Sequence, residues 1–437
     1  MKQTLFFPLA PLLLLIATAS AQKPAGNKAA TASERRLISV KVTGTVRYTD
    51  REIVPAAGLQ LGENVGDADF REAARRLGGT GLFTDVAYSF SYSAAGTKLE
   101  LQLKDADQAK LLPAHFENFV WFTDAQLTSV LQRRVPLFKT LLPEGGSLPD
   151  QVSEALQAIL DERQVPGRVN YLRESPQEGG SLIGIAYRVE GMAFPIHDVE
   201  FPGAAPDQVP LLKAAARKLT GAEYFRSPLA QVAGVDFLPV YLQRGYLKAS
   251  FASPEARVVA QTAGEVQVDA LFPVTPGKVF SVTDAVWSGD SAVPANQLQP
   301  LIHLFPGQPA DAVRLERDLE SIARLYRSRG YMAVRLKPEP ALDEEKNTVH
   351  YDLKVAEGDQ YKMGELELQG LDSQSTARVQ EAWTLREGEP YNADYPNKFV
   401  EDNTKLLPPG VHWGVSIHES VNAADKTVDI TIHFTPR

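Results

Sequence analysis

Seven histidines are the first residues to weigh for chemistry: His115, His197, His303, His350, His412, His418 and His433. An imidazole works as a metal ligand or a general base only with partners at suitable spacing. No H-E-x-x-H pair occurs, and the nearest groupings are His197-Asp198-x-Glu200 and His412 with His418. Both read as surface or strand residues. The chain has no cysteine, which removes disulfide frameworks, thiolate zinc sites, iron–sulfur clusters, thiol nucleophiles and lipid-modified cysteine together. G-x-S-x-G elbows, Walker loops and G-x-G-x-x-G turns are absent. Glu144-Gly145-Gly146-Ser147 reads as a loop before a helix, and Asp343-Glu344-Glu345-Lys346 as a solvated hairpin turn. The expectation is a chain without catalytic residues, metal or small-molecule cofactor.

The chemistry left is that of the backbone. Alternating apolar residues mark strands, and a strand at the edge of a small sheet carries a row of unpaired N–H and C=O groups. An extended peptide can add itself there as a further strand.

The elements that would present such edges recur along the chain. The first block opens with Ile38, Val40 and Val42 before Gly44. A short helix fits Asp50 to Ala57. Phe70, Ala73, Ala74 and Leu77 then form one helical stripe, capped by Asp67 or Asp69 and stopped by Gly78-Gly79 and Gly81. Val86, Tyr88, Phe90 and Tyr92 alternate, a turn follows, and Leu99, Leu101 and Leu103 close a hairpin. Four more blocks share the order. Their helix stripes include Val152, Leu156 and Ile159; Leu238, Tyr241 and Leu242; Leu315, Leu319, Ile322 and Tyr326; and a less regular one around Phe399. Their closing strands hold Ile183, Ile185, Tyr187 and Val189; Val266, Val268, Ala270 and Phe272; Val349, Tyr351, Leu353 and Val355; and Val428, Ile430, Ile432 and Phe434. A glycine before each second strand serves as a ruler: Gly81, Gly167, Gly245, Gly330 and Gly410 stand 86, 78, 85 and 80 residues apart. The unit is strand–helix–helix–strand–strand, an α+β block in which two helices cover a three-stranded sheet.

The N-terminus points to export. Met1-Lys2-Gln3 precedes an apolar run from Leu5 to Ala17 and the small-x-small site Ala19-Ser20-Ala21. That is the three-part pattern of a signal peptide, too short to span a bilayer. Residues 22–36 read as a flexible lead. The 45 Lys+Arg against 54 Asp+Glu, a net charge of −9, argue against nucleic acid as a partner.

The block order resembles the POTRA family, the polypeptide-transport-associated repeats that precede the barrel of BamA/TamA-type outer-membrane assembly factors and two-partner secretion transporters. The residues that carry the likeness are Val42-x-Gly44, Gly58-Leu59 with Gly62, Thr80-Gly81-Leu82-Phe83-Thr84-Asp85-Val86, Arg244-Gly245-Tyr246 and Arg329-Gly330-Tyr331. Val189-Glu190-Gly191 and Val355-Ala356-Glu357-Gly358 fit as closing phrases. Gln164-Val165-Pro166-Gly167-Arg168 departs from the Gly-aromatic step. The resemblance implies five tandem repeats over 37–107, 108–191, 192–276, 277–358 and 359–437, stacked as a rod. It leaves no residues for a barrel after the fifth. In this family the second strand is the exposed edge. The likeness therefore implies binding residues Val86, Tyr88, Phe90 and Tyr92; Val169 and Tyr171; Leu247 and Phe251; Met332, Val334 and Leu336; and Trp413 and Val415. The implied role is a periplasmic scaffold, peripheral to the outer membrane, that takes part in outer-membrane protein assembly or transport. Its partners would be unfolded or extended outer-membrane protein precursors and a β-barrel or assembly-complex subunit. Alternatives are a scaffold of a division or secretion complex, the soluble half of a split transporter, and an enzyme with a site between repeats.

Overall fold

The computed structural model describes residues 34–176, 179–289, 292–408 and 410–436. The expected signal peptide over 1–21 and residues 22–33 of the lead lie outside them. The chain divides into two compact units. One holds residues up to Ala114 with Thr128–Leu156 and Ser175–Gly184; the other holds His115–Leu127, Gln157–Glu174 and Ile185–Arg437.

The first block consists of strand β1 (Leu37–Thr43), helices α1 (Asp50–Ala56) and α2 (Asp67–Gly79), and strands β2 (Phe83–Ser93) and β3 (Gly96–Asp105). β3 lies in the middle, parallel to β1 and antiparallel to β2. The stripe on α2 behaves as its spacing requires: Phe70, Ala73 and Leu77 are buried. Leu99, Leu101 and Leu103 are buried on β3. Each fully buried Phe or Leu contributes roughly 1.5–3 kcal/mol. The Asp69 carboxylate accepts the Gly66 N–H at 2.8 Å and holds the start of α2.

The third, fourth and fifth blocks repeat this order. The third has β8 (Ile196–Glu200), α5 (Val209–Ala215), α6 (Arg226–Val232), α7 (Leu238–Leu242), β9 (Ser250–Phe251), β10 (Glu255–Gln261), β11 (Val266–Leu271) and β12 (Val274–Thr275), after the second block's β4–β7 given below. The fourth has β13 (Ser281–Ser288), α8 (Ala295–Leu298), α9 (Ala312–Arg327), β14 (Arg335–Asp343) and β15 (Thr348–Ala356). The fifth has β16 (Lys362–Gln369), α10 (Ser373–Ala382), α11 (Tyr395–Asp402), β17 (Trp413–Asn422) and β18 (Thr427–Pro436). Their sheets run β10-β11-β8, β13-β15-β14 and β16-β18-β17. One backbone lock is shared. Gly62, Gly221, Gly307 and Gly388 each donate an N–H, at 2.8 Å, to the opening strand at Leu37, Ile196, Val282 and Met363. All four glycines have positive φ, between 78° and 97°, which only glycine adopts at little cost.

The second block departs from the expected three-stranded sheet. It holds β4 (Leu111–Phe116), α3 (Asp124–Arg134), β5 (Leu141–Pro143), α4 (Leu148–Glu162), β6 (Arg168–Glu174) and β7 (Gly184–Glu190), in the sheet order β5-β4-β7-β6. Elsewhere a single bridge follows the glycine lock; here three residue pairs form, Leu111–Pro143, Leu112–Leu142 and Pro113–Leu141. Here the Ala114 N–H donates to the Thr140 carbonyl at 2.9 Å, so Thr140, at φ 67°, stands one residue after the place of the lock glycine. The weak ruler step at Gly167 has a cause too: the left-handed residue is Gln164, at φ 57°, three positions earlier. Ile183 stands outside β7 and is exposed, whereas Ile185, Tyr187 and Val189 are buried as expected. The third block also departs, by adding the two-stranded sheet of β9 with β12.

Candidate peptide-docking edges

In each block the first strand of the hairpin is an edge of its sheet: β2, β6, β10, β14 and β17. The phase of the edge donors follows from two of these strands. Pro338 and Pro340 on β14 lie opposite Leu353 and Tyr351. Proline has no N–H, so a strand tolerates it where the missing donor faces outward. On β6 the N–H groups of Val169 and Tyr171 are taken by the side chains of Gln157 and Asn170, each at 2.8 Å. In both strands the outward donors belong to the residues whose side chains face the block's interior. By the same phase the outward donors are those of Val86, Tyr88 and Phe90 on β2, and of Val415 and Ile417 on β17.

The five edges are not equally open. β6 is capped at Val169 by Gln157 of α4 and at Tyr171 by its own Asn170. β14 lacks donors at two successive outward positions. β10 carries a bulge between Val258 and Ala260, and its Arg257 pairs with Glu200 and Asp269. Bulges, charges and prolines are the devices that blunt edge strands. β2 has its bulge and its charge at its start, between Phe83 and Asp85, and none of these devices from Val86 to Ser93, and β17 contains no proline. Among the described residues no side chain hydrogen-bonds the backbone N–H groups of either strand.

β2 also has a shaped wall. Phe90 packs at a tilt against Phe70 of α2, 4.9 Å between ring centres, and Tyr88 lies 6.3 Å from the same ring. The Tyr88 hydroxyl donates to Asp67 at 2.9 Å, and Tyr92, 42% exposed, packs edge-on to Phe90 at 5.3 Å. On β6, Tyr171 packs against Tyr187 at 5.3 Å. On β17, Trp413 and Val415 are half-buried opposite Pro436 and Phe434.

Four of the expected binding residues sit elsewhere. Leu247 lies in the turn after Gly245 and packs into the core of the fourth block. Met332, two residues after Gly330, does the same in the core of the fifth block. The ruler glycines explain both: Gly245 and Gly330 accept the N–H groups of Phe280 and Tyr361, at 2.8 and 2.7 Å. A Cβ on Gly330 would stand 2.6 Å from the Tyr361 carbonyl oxygen. These residues join consecutive blocks instead of opening an edge. Val334 precedes β14 and is buried in the fourth block's core. Phe251 belongs to β9, paired with Val274 of β12. Pro254 separates it from β10, so the third block's edge is Glu255–Gln261 and exposes Val258 (36%) and Val259 (47%). Leu336 does lie on β14, half-buried.

The sequence reading also missed a cluster. His115 and Glu117, two apart on one strand face, meet Glu174, and these three can offer ligand atoms within 4.8 Å of one another. The H-x-E spacing was visible; the third member is 57 residues beyond Glu117 and was not. Of the histidine groupings weighed above, His197 pairs instead with Asp269 at 2.9 Å.

Residues 280–358 match the POTRA family model, described as a surface antigen variable number repeat. Over 231 residues the chain is 22% identical to the outer membrane protein assembly factor BamA of Neisseria meningitidis serogroup B (strain ATCC BAA-335 / MC58). That match spans 50% of this chain and 28% of the relative's length. Among solved structures, the Haemophilus influenzae BamA POTRA3-5 crystal structure aligns with 55% of this chain and 95% of its own, at 16% identity and a TM-score of 0.41. CdiB from Escherichia coli aligns with 54% of this chain and 36% of its own, at 16% identity and a TM-score of 0.22. No helix among the described residues is long and apolar enough to cross a membrane. The POTRA family model thus matches the fourth block, and the first, third and fifth blocks share that block's sheet order and glycine lock.

Proposed function

We propose that the chain is a periplasmic scaffold of five POTRA repeats, bounded near 107, 191, 276 and 358, that holds extended polypeptides by strand addition during outer-membrane protein assembly or transport. The observation that carries this reading is the β2 edge: a long, proline-free, uncapped strand whose outward donors at Val86, Tyr88 and Phe90 run beside the aromatic wall of Phe70, Tyr88 and Phe90. Strand addition takes affinity from the backbone and weak selectivity from alternate side chains. That suits clients whose unfolded strands vary in sequence. β17, with Trp413 and Val415, is the second docking edge. β6 and Leu336 of β14 are secondary, because caps and prolines remove their donors. The partners are unfolded or extended outer-membrane protein precursors and an outer-membrane β-barrel or assembly-complex subunit, and the scaffold itself catalyses nothing.

The test is capture in the native envelope with a photo-crosslinking residue at exposed positions of each edge. Barrel precursors should be captured from Ala87 and Ser89 on β2 and from Ser416 on β17, and far less from Lys337 on β14. Capture of division or peptidoglycan proteins alone would overturn the assembly role.

A further inference from the structure

We infer that His115, Glu117 and Glu174 form a binding site for a divalent transition ion, zinc by preference. His115 is on β4 and Glu117 follows that strand directly, on the same face. Glu174 ends β6. Between β4 and β6 runs β7, and the residue it places in that neighbourhood is the buried Ala186, small enough for side chains to meet above it. The His115 Nδ1 and the Glu174 Oε2 are 2.7 Å apart. Candidate ligand atoms of all three residues lie within 4.8 Å of one another. Two atoms bound to one zinc ion at 2.0–2.2 Å are at most about 4.4 Å apart, so small side-chain adjustments suffice.

The donor set decides the class of ion. One imidazole with two carboxylates suits zinc and its neighbours in the first transition row, whereas magnesium and calcium prefer oxygen throughout. Glu117 is 5% exposed and keeps its structural bonds: it accepts the Ser227 N–H at 3.0 Å and the Ser227 hydroxyl. Each carboxylate oxygen has a second lone pair to give. A cavity of about 320 Å³ opens beside Glu117 and Glu174 and is also lined by Arg188, Ser227 and Gln231. The buried Arg188 Nε has no hydrogen-bond partner. It is the donor for a water or anion that would complete the coordination sphere, and its charge offsets one of the carboxylates. Because Glu117 also holds Ser227 at the start of α6, an ion here ties β4 and β6 of the second block to the third.

The experiment is calorimetric titration of ZnCl2 into the untagged full chain after chelator treatment. One equivalent of zinc should bind, with MgCl2 and CaCl2 at least tenfold weaker. His115→Gln and Glu174→Gln should each weaken zinc binding at least tenfold. Histidine-selective NMR of the unaltered chain supplies a readout that needs no variant: zinc should shift the His115 ring signals before those of the other six. No zinc binding, unchanged affinity in both variants, calcium binding as tight as zinc, or signals moving first at His412 and His418 would overturn the site.

Discussion

Arg226 shows how much a single residue carries. It is 5% exposed and donates to the carbonyl oxygens of Phe116, Phe122 and Pro254, at 2.7, 3.0 and 3.2 Å, while pairing with Asp124. Arg226→Ala leaves those acceptors without their donor, and buried groups stripped of partners are costly. The loss should be about 3 kcal/mol, seen as a lower urea midpoint with unchanged slope. Gly330→Val should cost more than a typical surface change, because a side chain at φ 89° would strike Tyr361. Its expected signature is lower stability in the same urea titration. The sequence displayed the ruler glycines through regular spacing, yet not their purpose. Leu247 and Met332 follow a Gly-Tyr step and read as strand starts. In the fold they fill the core of the next block, and which core a residue enters depends on a neighbour some 30 residues away.

Elements were legible where one face of a strand or helix is buried. β2, β6 and β17 were anticipated because alternation records that burial directly. α2 and α9 were anticipated from their stripes. β10 was not, since its edge valines are exposed and leave no clean alternation, and Pro254 shifts the strand beyond the expected Leu247–Phe251. Openness of an edge was illegible altogether, because the caps on β6 come from Gln157 of a helix and from Asn170. The prolines make the sharpest prediction at this scale. Replacing both Pro338 and Pro340 by Val restores two outward donors to β14. Photo-crosslinking from Lys337 should then rise toward that from Ser89. Each donor is worth about 1 kcal/mol, or about fivefold in affinity. Unchanged crosslinking would show that proline does not blunt this edge.

Across the molecule, buried tyrosines set the alkaline limit. Burial pushes Tyr48, Tyr224 and Tyr351 up to about 12, and Tyr391, buried beside Glu419, rises further. The unfolded chain releases these protons near pH 10, so their stabilisation is complete below that pH and falls as pH rises toward 12. Each tyrosine removes about 1.4 kcal/mol per pH unit in that window. Thermal midpoints should therefore be flat from pH 7 to 9 and drop steeply above 10; a flat profile to pH 11.5 would contradict the burial. The central claim concerns the backbone of β2, and amide hydrogen exchange reads it directly. With an unfolded strand peptide from an outer-membrane barrel in excess, the Val86, Tyr88 and Phe90 amides should exchange at least tenfold more slowly. Unchanged exchange at those three amides, or protection confined to Leu336 and Leu342 on β14, would contradict the account.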